Sequence, residues 1–120
     1  MRIPILVIAL LITTSVSAQA LTQKEQEAAG AILFRDKGCA YCHGKATEGT
    51  HKGPPLIDAR KRLKPEQIAG QIKNGGQKMP AFSDSLSDEE VTNLVAWLRA
   101  KHRPVAPPAP TSAPVSNPAQ

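Results

Sequence analysis

Residues 38–44 read GCAYCHG and contain both cysteines of the 120-residue chain. The cysteines, Cys39 and Cys42, are three positions apart, and His43 follows the second directly. Two thiols and an imidazole so close together point to a redox pair, a metal site or the attachment site of a cofactor. The choice among these decides how so short a chain can fold.

Several chemistries use cysteines at this spacing. A disulfide between Cys39 and Cys42 would close a very small loop and constrain little of the chain. A thioredoxin-like pair belongs beside a βαβ pattern, and no stretch of this sequence alternates convincingly enough to be a strand. Zinc needs four ligands, which could be assembled with His43, His51 and His102, although no second pair has finger-like spacing. The remaining reading, C-x-x-C-H as a c-type haem attachment sequence, is the one we favour.

The spacing suits haem for a mechanical reason. Cysteines one helical turn apart can bond the two vinyl groups along one edge of a porphyrin. The next residue then lies beneath the ring, where its imidazole can bind the iron. We therefore predict that Cys39 and Cys42 attach one haem c covalently and that His43 is an axial ligand of its iron.

A second axial ligand is predicted in the stretch GGQKMPAF, residues 75–82. The chain has two methionines, and Met1 would be lost with the signal peptide described below, which leaves Met79 alone. A core methionine is the common alternative, but core packing explains a residue in a Gly- and Pro-rich loop poorly. A thioether is a soft ligand that suits haem iron. We predict Met79 as the second axial ligand and His51 and His102 as surface residues.

The first twenty residues have the pattern of a secretory signal peptide. A positive start is followed by an apolar run from Ile3 to Ile12 and by the A-x-A sequence Ala18-Gln19-Ala20. The alternative is an uncleaved membrane anchor, but the run is about half of the ~20 residues that a spanning helix needs. We therefore predict cleavage of residues 1–20 and export to the periplasm.

The other end of the chain also differs from the middle. Residues 104–120 read PVAPPAPTSAPVSNPAQ, without charge, aromatic residue or periodicity. This composition predicts a disordered tail that favours extended, polyproline-like structure. A role as a ligand for a proline-recognising domain would rest on composition alone. Residues 21–103 remain as one small domain, which needs a staple such as a bound cofactor because its large side chains are few.

The domain is predicted to be all-α. Thr22 to Glu25 form a capping box, and the helix that follows runs to about Lys37. Its buried face is predicted to hold Ala29, Ile32 and Leu33. A second helix begins at Pro65 and stops at Gly75-Gly76, with its buried side marked by Ile68, Ala69 and Ile72.

A second capping box, Ser87 to Glu90, precedes an amphipathic helix that runs to about His102. The segments 44–64 and 75–86 are predicted to be long loops, which in a compact domain are usually functional or wrapped around something. The inner face of the last helix is predicted to carry Val91, Leu94, Val95 and Leu98.

Residues 21–103 resemble a class I c-type cytochrome. In that family a glycine and an aromatic residue on the first helix pack against an aliphatic and an aromatic residue on the last helix. The matching residues are Gly30 and Phe34, with Leu94 and Trp97. A close helix crossing would explain Gly30, which costs its helix about 1 kcal/mol relative to alanine. The family's G-P-x-L segment is matched by residues 53–56, Gly-Pro-Pro-Leu.

The resemblance implies a cytochrome c fold, with three to four helices wrapped around one covalently bound haem. It also implies that the Pro54 carbonyl accepts a hydrogen bond from His43 and that Leu56 lines the haem pocket. Such a partner orients a ligating imidazole and raises its basicity. Filled axial positions leave the iron no site for substrate. The resemblance therefore implies a monomeric periplasmic electron carrier with no catalysis of its own.

Two other functions remain open at this point. A loosely held Met79 would make the haem a ligand-binding or peroxidase-like centre. The domain could instead be a haem c subunit of a larger dehydrogenase or oxidase. In every case the expected partners are periplasmic or membrane-bound redox proteins, and nucleic-acid binding is not expected of an exported haem domain with few aromatic residues.

The charge of the chain favours acidic partners. The formal net charge is +5, and removal of Arg2 leaves +4. Residues 60–64 form a dense basic cluster, which could bind a haem propionate or anionic lipid instead of an acidic partner protein. Complementary charge raises the rate at which redox partners meet. The lysines closest in sequence to the predicted haem motifs, and expected to ring the haem edge, are Lys37, Lys45, Lys52 and Lys78.

Overall fold

The computed structural model describes residues 19–110 of the chain. The predicted signal peptide therefore falls almost entirely outside the described residues, as does the end of the predicted tail. Residues 19–110 contain helices and no strand, which confirms the all-α prediction. The helices are α1 (Gln23–Asp36), α2 (Cys39–His43), α3 (Ala59–Arg62), α4 (Pro65–Asn74) and α5 (Asp88–Arg99).

The described part of the chain has five helices, where three to four were predicted. The additional helix is α3, a single turn inside the segment predicted to be a loop. It is fixed by Ala59, which is buried in the core, and by an Arg99 guanidinium that donates to the Leu63 carbonyl at 2.6 Å. Only α1, α4 and α5 are ten residues or longer, and they form the framework.

Both predicted capping boxes are confirmed. The Thr22 amide donates to the Glu25 carboxylate at 2.7 Å, and the Ser87 amide donates to Glu90 at 2.9 Å. The hydrogen bond from the Thr22 amide also lowers the pKa of Glu25 below its ordinary value. Helix α5 stops at Arg99 instead of about His102, because the backbone of Ala100 is already extended.

Helices α1 and α5 cross at a glycine, as the family pattern predicts. A Cβ atom built on Gly30 would lie 2.1 Å from the Asn93 carbonyl oxygen and 2.6 Å from the Trp97 Cβ. The Phe34 and Trp97 rings pack beside this point with centroids 4.7 Å apart. The pairing of the first and last helices is therefore confirmed.

The buried face of α1 differs from the predicted one. The residues that face α5 are Gly30, Ala31 and Phe34, whereas Ile32 is 36% exposed. The buried face is rotated relative to the predicted one because α1 packs on α5 at Gly30, where the lack of a side chain lets the two backbones approach closely. Leu33 still packs against the core, half-buried.

Gly30→Ala is expected to destabilise the protein by about 2 kcal/mol. Overpacking costs about 3 kcal/mol at a contact this close, and the better helix propensity of alanine returns about 1 kcal/mol. Denaturant unfolding of the haem-loaded protein measures the difference. Gly70→Ala is the matched control on α4, where an added Cβ meets nothing within 4 Å. That variant is expected to gain about 0.5–1 kcal/mol, and equal stability of the two variants would contradict the close crossing.

The first residues after α5 pack against the domain. The Trp97 indole donates to the Pro104 carbonyl at 2.8 Å, and Ala106 packs against the core. Composition alone predicts disorder from residue 104, and these contacts correct that expectation for the first residues of the tail. Within residues 19–110, no helix has both the length and the apolar character needed to cross a bilayer.

Candidate functional site

Helix α2 presents the two thiols and the imidazole. Gly38, with φ at 80°, separates it from α1, and Gly44, with φ at 83°, ends it. Both glycines adopt the left-handed region that other residues disfavour. Cys39 and Cys42 lie one turn apart and are half-buried, and they line the same cavity as His43.

The His43 ring is held by the backbone of a neighbouring loop. Its Nδ1 lies 2.8 Å from the Pro54 carbonyl oxygen. Because a carbonyl can only accept, Nδ1 carries the proton in this contact. The ring is thus oriented by Nδ1, which leaves Nε2 as the nitrogen that could bind a metal.

The segment from Gly44 to Ile57 clamps the end of α2. The Gly49 amide donates to the His43 carbonyl at 2.8 Å, and the Thr50 hydroxyl donates to the Cys42 carbonyl at 2.6 Å. A Cβ on Gly53 would lie 2.9 Å from the Cys42 carbonyl oxygen. A glycine at this position therefore lets the loop approach α2 closely enough for the next residue, Pro54, to reach His43.

Met79 sits in a short turn that follows α4. The Gly76 amide donates to the Met79 carbonyl at 2.9 Å, and the Phe82 amide donates to the Ile72 carbonyl at 3.1 Å. Gly75 has φ at 68° and leaves no room for a Cβ against the Met79 carbonyl. The Met79 sulfur is half-buried and accepts a long contact of 4.0 Å from the Gln71 side-chain amide.

One cavity of about 390 Å³ joins these elements, a size typical of small-molecule sites. It is lined by Cys39 and Cys42, by His43 with Pro54 behind it, and by Met79 from the turn after α4. The donor set fits a covalently attached haem: two thiols, an imidazole with a free nitrogen and a thioether. The other lining residues are Lys37, Gly38, Tyr41, Lys52, Gly53, Lys78, Pro80 and Phe82.

The Cys39 thiol lacks the lowered pKa of a reactive C-x-x-C cysteine. Cys39 and Cys42 are not bonded to each other. Burial raises the pKa of the Cys39 thiol, and the neighbouring Cys42 raises it further. Reactive C-x-x-C thiols have lowered pKa values. Within residues 19–110, no group of three His, Cys, Asp or Glu side chains is placed to hold a metal ion, so the donors for a zinc site are not brought together.

The remaining predicted residues lie around these elements. Leu56 is half-buried and packs against the core, its amide donates to the Thr47 carbonyl at 2.8 Å, and its contact with the haem stays a prediction. Lys45 lies beside a separate groove between α1 and α5. Of the lysines expected at the haem edge, Lys37, Lys52 and Lys78 do line the cavity.

Sequence reasoning missed two residues that shape the site. Gln71 contacts the Met79 sulfur, and its position next to the buried Ile72 on α4 was the available signal. Arg103 was not noticed, although its guanidinium donates to the Leu56 carbonyl at 2.7 Å and to the Leu98 carbonyl at 2.8 Å. No local pattern marks Arg103, because its partners are far apart in sequence.

An all-α fold with crossed terminal helices, and a cavity that joins a C-x-x-C-H helix to a methionine turn, together define a class I c-type cytochrome. The chain belongs to the family described as cytochrome c oxidase, cbb3-type, subunit III, which matches residues 25–98. Haem c, covalently bound, is the cofactor of this class and of this chain.

Similar proteins are c-type cytochromes from several bacteria. The cytochrome c subunit of menaquinol:cytochrome c reductase from Bacillus subtilis (strain 168) is 32% identical over 74 residues, which cover 62% of this chain and 28% of that protein. Cytochrome c-551 of Pseudomonas aeruginosa is 29% identical over 104 residues, covering 79% of this chain and 94% of that one. The crystal structure of c-type cytochrome XoxG from Methylobacterium extorquens AM1 superposes with a TM-score of 0.55 at 28% identity, covering 72% of this chain and 62% of that one. The chain thus spans nearly all of one relative and less than a third of another.

Proposed function

We propose that the protein is a periplasmic electron carrier whose haem c is attached through Cys39 and Cys42 and ligated by His43 and Met79. The observation that carries the proposal is the single cavity lined by all four side chains. Bound haem c supplies one-electron exchange with little change in geometry.

The chain's own residues would set the properties of the site. The Pro54 carbonyl accepts from His43 Nδ1, which would leave Nε2 as the nitrogen that ligates the iron. The turn around Met79 is closed by Gly76 and braced on α4, which favours a fixed thioether over a mobile one. With both donors in place no open position remains for a substrate, and we infer that the protein is not an enzyme.

We propose that this carrier is exported and monomeric. The sequence pattern of residues 1–20 supports export, and the relatives that match along most of their length are small cytochromes. Its donors and acceptors would be periplasmic or membrane-bound redox proteins. A second candidate, a haem c subunit of a larger complex, is favoured by the Bacillus relative, which is named as a reductase subunit and is much longer than this chain.

Spectroscopy and purification distinguish an electron carrier, a haem c subunit of a larger complex and a ligand-binding haem protein. A reduced-minus-oxidised spectrum with the weak far-red band of iron–methionine ligation is expected, together with no binding of carbon monoxide by the ferrous protein. Carbon monoxide binding at full occupancy would contradict the carrier and favour a ligand-binding centre. Co-purification with a large redox protein at fixed stoichiometry would favour the subunit.

Lys78→Glu is expected to slow electron transfer to an acidic partner about 3- to 10-fold at low salt. Lys78 lines the cavity and is exposed, so it lies at the predicted docking face. The effect should shrink at physiological ionic strength, where the Debye length is about 8 Å. The measurement is stopped-flow oxidation of the reduced protein by membranes of its host.

Lys45→Glu and Lys61→Glu are the matched controls, since each changes the net charge by the same amount away from the cavity. Lys45 borders the groove between α1 and α5, and Lys61 is exposed on α3. Both are expected to change the rate less than twofold beyond the general charge effect. A larger effect at either control than at Lys78 would place the docking face elsewhere.

A further inference from the structure

The chain beyond α5 makes a contact that electron transfer does not explain. Residues 104–108, PVAPP, which we call the strap, form one wall of a groove whose other wall is made by α1, α5 and the segment after α2. The groove faces away from the haem cavity at α2, since Ala40 borders it while Cys39 and Cys42 line the cavity. The other domain residues that shape it include Ala31, Phe34, Thr47 and Trp97.

Two side chains of the domain bind carbonyls of the strap three residues apart. The Trp97 indole donates to the Pro104 carbonyl at 2.8 Å, and the Arg35 guanidinium donates to the Pro107 carbonyl. A polyproline helix has three residues per turn, so these two carbonyls lie on one face of such a strand. Between them, Ala106 packs against the core while Val105 is 91% exposed.

The donors and acceptors on the two sides are complementary. Pro104, Pro107 and Pro108 carry no amide hydrogen, so at Pro104 and Pro107 the strap offers a carbonyl acceptor and no amide donor, and its only amide donors are those of Val105 and Ala106. Indole and guanidinium groups are donors only. The Arg35 Nε and Nη2 groups donate to the Asp36 carboxylate at 2.6 and 3.1 Å. This pairing orients the guanidinium so that its remaining nitrogen, Nη1, donates to the strap.

The strap is also held at its beginning and restricted in its conformation. Arg103, the residue before it, is anchored by its guanidinium to the Leu56 and Leu98 carbonyls. Pro104, Pro107 and Pro108 fix φ near −65°, and the residue before each proline prefers extended backbone. The strand is therefore largely ordered before it binds, which lowers the entropic cost of the contact.

We propose that this groove is a binding site for polyproline-type strands and that residues 104–108 of the same chain are its resident ligand. An aromatic-lined groove that donates to proline carbonyls is a known mode of peptide recognition. Here the ligand lies in cis, beside a groove that Ala40 of α2 also borders. The inference does not depend on which residues ligate the haem iron.

The test uses the single tryptophan of the chain, whose indole gives one nuclear magnetic resonance signal in the ferrous, full-length haem protein. In a strap variant, Val105→Gly, Ala106→Ser, Pro107→Gly and Pro108→Ser, the acceptor Pro104 is kept but the residues that hold it in place are not. Hydrogen exchange of the Trp97 indole is expected to accelerate about tenfold, because a mobile strap no longer maintains the hydrogen bond to the Pro104 carbonyl. The control Ala109→Gly/Pro110→Ser, just beyond the strap, should leave the rate unchanged. Equal exchange in the wild type and the strap variant would overturn the proposal.

A second arm tests recognition directly. A peptide with the sequence of residues 103–110 is expected to shift the Trp97 indole signal of the strap variant saturably. It should leave the wild type unchanged, because there the strap already accepts from the Trp97 and Arg35 donors. A peptide of the same composition with its prolines relocated is the control. Arg35→Gln in the strap variant should weaken the peptide's binding about tenfold. Absence of any saturable shift would overturn the proposal. A wild-type dimer in sedimentation that becomes monomeric in the strap variant would overturn binding in cis and assign the groove to a second copy.

Discussion

Replacing both cysteines, Cys39→Ala/Cys42→Ala, is expected to give a chain that retains no haem under denaturing conditions and loses most of its helical content. A core of this size supplies only about 3–5 kcal/mol of stability. The cavity of about 390 Å³ would lose the group expected to fill it. Without that group α2 and the segments around Pro54 and Met79, which line the cavity, have too little to pack against, and the conformational entropy of the chain outweighs the remaining contacts.

Haem staining of a denaturing gel measures the covalent link, and far-ultraviolet circular dichroism measures the helix content. The single variants Cys39→Ala and Cys42→Ala are the matched controls, because each keeps one thiol for one thioether bond. They are expected to retain stainable haem at reduced yield. Extraction of all the haem from the wild type by acid acetone, or full helical content in the double variant, would contradict the assignment.

Met79→Ala is expected to lower the reduction potential by on the order of 200 mV, since loss of a thioether ligand removes its preference for ferrous iron. The far-red band should disappear, and the ferrous protein should bind carbon monoxide. Met79 is suited to this role because its turn is closed by Gly76 and its sulfur lines the cavity that His43 enters. Redox titration and visible spectroscopy of the purified variant measure both effects.

Lys78→Ala, one residue earlier in the same turn, is the control for disturbance of the loop. It should keep the far-red band and stay closed to carbon monoxide, because the Lys78 side chain is exposed. An unchanged spectrum in Met79→Ala would exclude Met79 as a ligand. Equal loss of the band in both variants would show that the turn, and not the sulfur, is responsible.

Residue type and short spacing were enough to predict much of this protein. The C-x-x-C-H pattern needs only one helical turn to bring two thiols and an imidazole together, so the sequence already contains its geometry. The same holds for the capping boxes at Thr22 and Ser87, which span four residues each. Gly30 could be recognised because a glycine in a helix interior is costly unless something approaches it closely.

Contacts between distant segments were decided only by the tertiary structure. Ile32 was assigned to the wrong face of α1, because the roll of the helix depends on where α5 touches Gly30. The surroundings of Leu56 and Lys45 could not be predicted, because the segment between α2 and α3 has no periodicity from which its path could be read. In the fold, that path is set by non-local hydrogen bonds, such as those from Arg103 to the Leu56 carbonyl and the Thr47 hydroxyl.

The strap shows the same division. Its composition predicts an extended, polyproline-like strand, because proline restricts φ wherever it stands. Whether such a strand stays free depends on what faces it, and Trp97 and Arg35 are brought beside it only when α1 and α5 cross. The sequence by itself therefore predicted the chemistry of the haem site and an extended strap, since both depend on residue type and short spacing. Only the tertiary structure decided what the strap meets, because that contact joins distant residues: Arg35 and Pro107 are 72 positions apart.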